Sequence, residues 1–298
     1  MKNVLIIGSG LLGSSLLRKI YKKKLAKKIF VYESSKKNIS KIKKLKLPGI
    51  LVKKPQDAVF ETQLIIFCCP MSEYKKIILK INKKLNSKHI ITDVGSSKLK
   101  SLEIIKKNLK KNIFWTSSHP IAGSEVSGPE NGKENLFDNK WCILIKEKKT
   151  NTKHLKFLNS FWKKLGLNTV VMSPEKHDKI FSMTSHLPHL IAYNLVKSAQ
   201  DFEKKQKFDL LKYSAGGLRD FSRIAASNEI MWRDIFFDNK IHVSKAINLF
   251  IKNLRSFRKD INTKNNKSIL KKLTQTKKVR SKIIRLKQDI NKPDFGRN

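Results

Sequence analysis

The chain has 298 residues, 40% of them hydrophobic, and carries a formal net charge of +42. This length exceeds one small core and predicts two domains. The charge alone favours nucleic acid or an anionic membrane as a partner. However, 56 of the 65 basic residues are lysines, spread over nearly every predicted helix with few aromatic residues between them. We therefore expect no specific nucleic-acid partner and no membrane partner, and keep a basic nucleic-acid-binding protein as the remote alternative.

The cysteines and the first residues indicate the compartment. Cys68, Cys69 and Cys142 are odd in number and lack C-x-x-C spacing, which argues against a disulfide framework and a thiolate metal site. A strand-like run begins so near Met1 that it leaves no room for a signal peptide. No apolar run approaches the ~18 residues of a membrane span. We expect a cytoplasmic protein.

Short β-rich runs alternate with lysine-rich amphipathic stretches in the first half of the chain. The runs are VLIIG (4–8), IFVYE (29–33), LIIFCC (64–69), HIITDV (89–94), FWTSS (114–118), WCILI (141–145) and TVVM (169–172). This alternation predicts an α/β domain with a doubly wound, mostly parallel sheet.

The strand signals stop after Met172, and apolar residues then recur at helical spacing as far as about Arg258. Pro174 suits the first turn of a helix. We therefore predict an α/β domain over residues 1–172, an all-helical domain over 173–260 and a basic tail over 261–298. The tail has a helical pattern to about Gln288 and ends in the turn-like NKPDFGRN.

Lysine is scarce in four windows, residues 3–17, 114–135, 181–196 and 213–233. Either these windows are buried, or they line a binding site.

A glycine motif follows the first predicted strand and opens a helix, the context in which G-x-G-x-x-G binds a dinucleotide. The tight turn lets the backbone approach a pyrophosphate, and the free N–H groups of the helix N-terminus face the anion. The predicted cofactor-binding residues of this turn are Gly8, Ser9, Gly10, Leu11, Leu12 and Gly13.

Glu33 lies 20 residues after Gly13, at the end of the second predicted strand. A carboxylate there accepts hydrogen bonds from a ribose diol and repels a 2′-phosphate, which favours NAD over NADP. Lys36 and Lys37 follow closely and weaken that preference. We add Pro70, directly after the LIIFCC run, to the predicted cofactor-binding residues.

Ser96, in TDVGSSK (92–98), follows a predicted strand at the edge where parallel sheets place ligands. Its hydroxyl is predicted to lie beside a nicotinamide ring. The alternative is that Asp93 and Ser96 only form a turn around Gly95.

His119, in SHPIAGSE (118–125), precedes a proline and is therefore biased towards extended backbone. Its ring should project from the end of a strand. Ser124 and Glu125 lie in the same turn, so polar groups converge there. A packed histidine, a metal ligand and a catalytic base are the alternatives, and the convergence favours the base.

The segment SHLPH (185–189) resembles a helix start, with Ser185 as N-cap and Pro188 in the first turn. His186 and His189 would share one face. No third ligand accompanies them, so we predict no metal site. The helix dipole should keep both rings neutral.

The stretch GGLRDFSR (216–223) places Arg219 and Arg223 four residues apart on a predicted helix. Like charges at this spacing are unfavourable unless an anion compensates. Asp220 can pair with one of them, and bidentate binding of a substrate carboxylate is the function that arginine serves best. Trp232 is either a core residue or an aromatic wall of the site.

With these motifs in order, the chain resembles the prephenate and arogenate dehydrogenase family over about residues 3–258. The motifs are GSGLLGSS, TDVGSSK, SHPIAGSE, MTSHLPH and GGLRDFSRIAASNEIMWRDI. The resemblance implies an N-terminal Rossmann domain, a helical dimerisation domain, a homodimer, and NAD-dependent oxidative decarboxylation in the cleft between the domains. Unlike fused members, the sequence has neither a chorismate mutase segment before Met1 nor a tail long enough for the regulatory domain that some carry, and we expect neither.

The resemblance also implies roles for single residues. His119 would bind the ring hydroxyl of the substrate, Ser96 would lie near the nicotinamide, and Arg223 would bind the side-chain carboxylate. The remaining predicted substrate-binding residues are Ser124, Glu125, His189, Arg219 and Trp232. The substrate is prephenate, with arogenate as the alternative. A hydroxyacid or 6-phosphogluconate type of dehydrogenase would share the glycine turn but not SHPIAGSE with GGLRDFSR.

Overall fold

The computed structural model describes residues 3–207, 209–286 and 288. Its N-terminal part alternates strands with helices, and its C-terminal part is helical. The strands are β1 (Asn3–Ile7), β2 (Lys28–Tyr32), β3 (Ile50–Val52), β4 (Leu64–Phe67), β5 (Ile90–Asp93), β6 (Ser118–Ile121), β7 (Trp141–Ile145) and β8 (Asn168–Met172). The helices are α1 (Leu11–Lys22), α2 (Lys36–Lys44), α3 (Tyr74–Ile81), α4 (Leu99–Asn108), α5 (Thr152–Lys164), α6 (Pro174–Phe181), α7 (Leu187–Gln206), α8 (Gly216–Ala225), α9 (Glu229–Asp238), α10 (Lys240–Asn262) and α11 (Asn266–Arg285).

The first sheet is parallel throughout, in the order β3-β2-β1-β4-β5. Successive residues of β1 enter two different core clusters. Leu5 and Ile7 pack into the cluster that contains residues of α3, whereas Val4 and Ile6 pack into the one that contains residues of α1. Helices therefore cover both faces, which confirms the predicted α/β class and doubly wound sheet. The strand order reverses between β1 and β4, where such sheets bind their ligands.

The second sheet has the order β6-β7-β8, with β6 antiparallel to β7 and β8 parallel to it. An isolated bridge between Ile91 of β5 and Trp115 places the segment just before β6 beside the first sheet. The prediction of a strand over 114–118 was shifted, because β6 begins at Ser118 and includes His119 and Pro120. An edge strand tolerates a proline, which has no N–H to donate. The sequence prediction also missed the short strand β3.

The second part of the chain begins with α6, whose N-cap Ser173 accepts a hydrogen bond from the N–H of Lys176. A π-helical turn over Ser182–His186 leads directly into α7. The prediction of a helix start with Ser185 as N-cap was therefore wrong, because Ser185 lies inside a continuous helical segment. Pro188 has no N–H for the α-helical ladder, and a widened turn just before it accommodates this interruption.

The helical part contacts the N-terminal ends of two helices of the sheet domain. The carboxylate of Asp178 accepts hydrogen bonds from the N–H groups of Lys98 and Leu99, both at 2.9 Å. Asp234 on α9 accepts one from the N–H of Ser72, just before α3, at 3.0 Å. These contacts fix the helical part against the edge of the sheet where the strands end.

Helix α10 continues through the predicted boundary after Asp260 to Asn262, and α11 then packs against α10. Nζ of Lys272 on α11 lies 2.6 Å from Oδ2 of Asp260 and over the ring of Phe257. The predicted turn NKPDFGRN lies outside the described residues. Across the described ranges, we find no helix with the length and apolar character needed to span a membrane.

Candidate active site

The glycine turn after β1 is shaped for close backbone approach. Gly8 has φ +91°, and a Cβ there would lie 2.8 Å from the backbone N of Cys69. A Cβ on Gly13 would lie 2.0 Å from the carbonyl oxygen of Gly8, so only glycine lets α1 start this near the strand. A Cβ on Gly10 would meet nothing within 4 Å, which leaves open space in front of the helix N-terminus. The turn therefore fits an anion bound by the free N–H groups of α1.

Glu33 closes this turn from the end of β2. Its Oε2 accepts hydrogen bonds from the N–H and the hydroxyl of Ser9, both at 2.8 Å, and its Oε1 accepts one from the N–H of Ser35 at 2.9 Å. Since each carboxylate oxygen offers about two lone-pair sites, Oε1 retains an acceptor for a further hydroxyl. Glu33 thus supports the turn and still fits a ribose diol.

The other predicted cofactor residues surround the same turn. Leu11 and Leu12 form the first turn of α1, and Pro70 follows β4, the strand beside β1. Both leucines are partly buried, whereas Pro70 is exposed.

His119 lies in β6, buried and directly opposite Ile143 of β7. Its ring packs against the rings of His177 and Phe181, with centroids 5.0 Å and 4.9 Å away. Burial, together with the charges of His177 and Lys98, holds the pKa of His119 well below its usual value. At neutral pH the ring is uncharged and can accept a proton.

A chain of hydrogen bonds extends from His119 into α6. Nδ1 of His119 lies 2.8 Å from Nε2 of His177, and Nδ1 of His177 lies 2.8 Å from Oδ1 of Asp178. Neither side chain of the His177 and Asp178 pair is exposed. Burial also holds the pKa of His177 well below its usual value. The two ring nitrogens at the His119–His177 contact must therefore share one proton.

A buried lysine connects the Ser96 loop to β6. Nζ of Lys98 donates to Oδ2 of Asp93 at 2.6 Å and to the carbonyl of Ser118 at 2.8 Å. Asp93 also accepts hydrogen bonds from the hydroxyl of Tyr74 and from Nε1 of Trp115. The residues on either side of Ser96 are therefore held beside the strand that carries His119.

His186, in the π-helical turn, is fully buried. Its Nδ1 lies 3.1 Å from Nδ2 of Asn239. Burial lowers its pKa to about 4, although a hydrogen bond with the backbone of Ser96 acts to raise that pKa. Burial also lowers the pKa of His189, whose Nδ1 lies 2.9 Å from the carbonyl of Ser185. Both rings are neutral as predicted, but the reason is burial, since the helical segment runs on from α6 through the π-helical turn into α7 and leaves no free helix N-terminus at these residues.

Trp232 on α9 belongs to the core and also stacks on His189, with ring centroids 3.8 Å apart. Its Nε1 is buried and has no hydrogen-bond partner among the described residues. A buried indole N–H without an acceptor is costly, which points to a polar ligand at this position.

Arg223 on α8 pairs with Glu125 from the loop after β6, with Nη1 3.5 Å from Oε2. It does not pair with Asp220, the partner suggested by the sequence. Nε of Arg223 is buried and lacks a partner among the residues that the structure describes. The guanidinium therefore keeps a donor for an anion.

The structure brings together some of the predicted residues and leaves others apart. Ring packing and hydrogen bonds join residues from both parts of the chain into one cluster, the His119 cluster, which consists of His119, His177, Asp178 and Phe181. Ser124 and Arg219 are exposed, and within residues 3–207, 209–286 and 288 no hydrogen bond, ion pair or ring contact joins either side chain to this cluster. The lysine-poor window 213–233 is largely exposed, so burial within one chain does not explain its composition.

Sequence reasoning missed His177, Asp178 and Lys98. A signal for the first two was present, since the pair HD stands in SPEKHD directly after the last strand. Lys98 stood in TDVGSSK, where one lysine among so many gave no signal. Within residues 3–207, 209–286 and 288, no cluster of three or more His, Cys, Asp or Glu is arranged to hold a metal ion.

Family models match nearly the whole chain. The model of the prephenate dehydrogenase nucleotide-binding domain matches residues 16–171, and that of the prephenate dehydrogenase dimerization domain matches residues 173–286.

Two curated relatives and one crystal structure are similar over most of their length. The cyclohexadienyl dehydrogenase of Zymomonas mobilis is 32% identical, over 94% of this chain and 95% of the relative. The prephenate dehydrogenase of Bacillus subtilis is 31% identical, over 86% of this chain and 69% of the relative. The crystal structure of prephenate dehydrogenase from Aquifex aeolicus in complex with hydroxyphenyl propionate and NAD+ has a TM-score of 0.88 and 34% identity, and covers 95% of this chain and 98% of that one.

Proposed function

Because the chain belongs to the prephenate dehydrogenase family, we propose that it catalyses the NAD-dependent oxidative decarboxylation of prephenate to 4-hydroxyphenylpyruvate in tyrosine biosynthesis. The observation that carries this proposal is His119, a buried histidine kept neutral beside the edge of the sheet where a dinucleotide binds. The reaction needs a base at a ring hydroxyl, and a neutral imidazole is suited to that task.

Arogenate, which would give tyrosine, is the second candidate substrate. The relative from Zymomonas mobilis, similar over nearly the whole of both chains, is named a cyclohexadienyl dehydrogenase. This favours a site that accepts the keto and the amino side chain alike.

The glycine turn, Glu33 and Pro70 would hold the cofactor. When bound, NAD accepts the hydride that leaves the ring carbon bearing the hydroxyl. The open space at Gly10 suits the pyrophosphate, and the free acceptor on Oε1 of Glu33 suits a ribose hydroxyl. The negative charge of Glu33 disfavours the 2′-phosphate of NADP.

His119 takes the proton of the ring hydroxyl through Nε2 as that oxygen develops carbonyl character. The ring carboxylate then leaves as CO2, its bonding electrons return to the ring, and the ring becomes aromatic. The resulting phenolate oxygen takes the proton back from His119. A positioned base of this kind typically contributes about 10²- to 10⁴-fold in rate.

Arg223 binds the side-chain carboxylate of the substrate through its unpartnered Nε, and Arg219 is the alternative binding residue. Ser96 lies near the nicotinamide. Ser124 and Glu125 form the wall on the β6 side, and the stacked His189 and Trp232 form the opposite wall.

We further propose that the chain forms a homodimer through its helical domain, with domain limits at residues 172/173 and 260/261. The match to a dimerization domain supports this, and so does the exposed, lysine-free surface of α8. Sedimentation analysis should give twice the chain mass of 34.4 kDa. A monomer at micromolar concentration would contradict the proposal. The unpaired cysteines support a reducing, cytoplasmic location.

The test of activity is NADH or NADPH absorbance after adding prephenate or arogenate, each with NAD and with NADP. We expect turnover with NAD. The absence of any signal with all four combinations would refute the proposed enzyme activity.

A further inference from the structure

The carboxylate of Asp178 determines where the proton of His177 lies. Oδ1 of Asp178 accepts from the N–H of Lys98, and Oδ2 accepts from the N–H of Leu99, so both oxygens face donors. Burial raises the pKa of Asp178, and these two N–H groups oppose that rise. In the 2.8 Å contact with Oδ1, the ring of His177 must therefore be the donor. Its proton lies on Nδ1.

The proton position in His177 then determines that in His119. A neutral imidazole carries one proton, so Nε2 of His177 has a free lone pair. Nδ1 of His119, 2.8 Å from this nitrogen, must be the donor. The single proton of neutral His119 thus lies on Nδ1, and its Nε2 is left bare.

We infer that His177, oriented by Asp178, is a positioning residue that holds His119 in the form with a bare Nε2 and stabilises the imidazolium that His119 becomes. The inference rests on the proposed function, because it assigns the base of that reaction its proton-accepting atom. After His119 accepts a proton at Nε2, its Nδ1–H still donates to a neutral ring, whose other side is hydrogen-bonded to a carboxylate. The positive charge is thereby delocalised towards Asp178.

The other charged and titratable groups near these rings disfavour the imidazolium or are already paired. Lys98, from the loop before α4, and His186, from the π-helical turn, both lower the pKa of His119. Asp93 is bound to Lys98. Phe181 packs on both rings without charge, at centroid distances of 4.9 Å and 4.5 Å. Asp178 is therefore the anion placed to stabilise the positive charge on the two histidines.

His186 supplies an internal contrast. Nδ2 of Asn239 donates to the carbonyl of Asp178 at 2.8 Å and lies 3.1 Å from Nδ1 of His186. Nδ1 of His186 is therefore the acceptor, and its proton lies on Nε2. The structure thus assigns opposite tautomers to His119 and His186, although both are buried and neutral.

The kinetic test compares His177→Phe with His177→Gln. Phenylalanine keeps a ring but removes the acceptor for Nδ1–H of His119, so kcat should fall about 10- to 100-fold. The acid limb of the rate profile should move about one pH unit lower, because the imidazolium loses its hydrogen bond. The KM for NAD should stay within about twofold. Glutamine offers a side-chain oxygen as acceptor and should restore most of kcat and the position of the limb.

The matched control is His154→Phe, on α5 and outside the His119 cluster, which should leave kcat and the pH profile unchanged. A His177→Phe variant that loses kcat with an unmoved acid limb would show a merely structural role and overturn the inference. Equal kcat values for the phenylalanine and glutamine variants would do the same.

A second test needs no substrate. Nitrogen NMR of the full-length protein labelled with ¹⁵N-histidine distinguishes a protonated ring nitrogen from a bare one, with His119→Asn and His177→Gln used for assignment. We expect bare Nε2 on His119 and His177 and bare Nδ1 on His186. A protonated Nε2 on neutral His119 would overturn the inference. If the wild-type protein shows the expected spectrum but oxidises neither substrate, the proposed function fails while the assigned proton positions stand.

Discussion

Nζ of Lys98 lies 2.6 Å from Oδ2 of Asp93, and neither side chain is exposed to solvent. The same ammonium group donates to the carbonyl of Ser118, next to His119. The lysine of this buried ion pair thus holds the loop that carries Ser96 against the strand that carries His119. Removing one partner of such a pair leaves the other charge uncompensated.

Lys98→Met should therefore lower the free energy of unfolding by about 3–5 kcal/mol, as measured by urea denaturation. The control is Lys100→Met two residues later, whose ion pair with Glu103 is exposed. Lys100→Met should change the free energy of unfolding by no more than about 0.5 kcal/mol. Equal losses in the two variants would mean that the buried pair contributes no more than a surface one.

His119→Asn should lower kcat by about 10²- to 10⁴-fold, because asparagine cannot accept the proton of the ring hydroxyl. The affinity for NAD, measured by calorimetry, should not change. His154→Asn is the control and should keep wild-type kcat. An unchanged kcat in His119→Asn would exclude this residue from the mechanism.

The sheet and the glycine turn could be predicted because their signals are local. Buried strands produce apolar runs, and Gly8, Gly10 and Gly13 lie within one turn, where the positive φ of Gly8 and the close approach of Gly13 to the carbonyl oxygen of Gly8 require glycine. The position of His119 next to the sheet edge followed from the same pattern, although β6 begins later than predicted.

The hydrogen-bond chain behind His119 could not be predicted, because it depends on packing between distant segments. His177 lies 58 residues from His119 in sequence, and Asp178 contacts a helix start 80 residues away. The helix start expected at Ser185 failed for a related reason. Serine and proline favour a cap locally, but packing and a π-helical turn continue the helix through them.

Arg223→Ala should raise KM for prephenate about 10- to 100-fold, because hydrogen bonds to a charged group contribute about 1.5–3 kcal/mol. The matched variant is Arg219→Ala, one turn earlier on α8 and exposed. We expect little change there in steady-state kinetics. The reverse result, a large KM increase only for Arg219→Ala, would identify that residue as the carboxylate-binding group.

Glu33→Gln should weaken the discrimination between NAD and NADP. The variant keeps one acceptor oxygen for Ser9 but loses the negative charge that repels a 2′-phosphate. We expect a higher KM for NAD and a lower KM for NADP, measured with saturating substrate. Glu61→Gln, at an exposed ion pair with Lys28, is the control and should leave the ratio of the two unchanged. An unaltered ratio in Glu33→Gln would place the determinant elsewhere, with Lys36 and Lys37 as the nearest candidates.

The stability of the fold should decrease steeply in mild acid, because five buried or partly buried histidines have lowered pKa values. They are His119, His154, His177, His186 and His189. Unfolding exposes each ring to water, where its pKa is about 6.5, so the unfolded chain binds more protons below that pH. The stability that these neutral rings provide is complete above about pH 6.5 and is lost as the pH falls below that value. For His186 the loss continues until the pH reaches the folded-state pKa of about 4. Each histidine lowers the free energy of unfolding by up to about 1.4 kcal/mol for each unit by which the pH falls. Asp178 and Asp238 act in the opposite direction, since burial raises the pKa of both, that of Asp238 to about 6, and their protonation stabilises the fold in acid. Five histidines against two aspartates predict a net loss of stability.

Urea unfolding of the wild-type protein at pH 7, 6 and 5, at constant ionic strength, should follow this decline. In His186→Asn the free energy of unfolding should fall less steeply with decreasing pH, by the contribution of one histidine, because one titrating group is gone. This holds whatever the effect of the substitution on stability at pH 7. His242→Asn, at a half-buried position on α10, is the matched control and should keep the wild-type steepness. Parallel pH profiles for wild type and His186→Asn would exclude His186 as a source of the acid sensitivity.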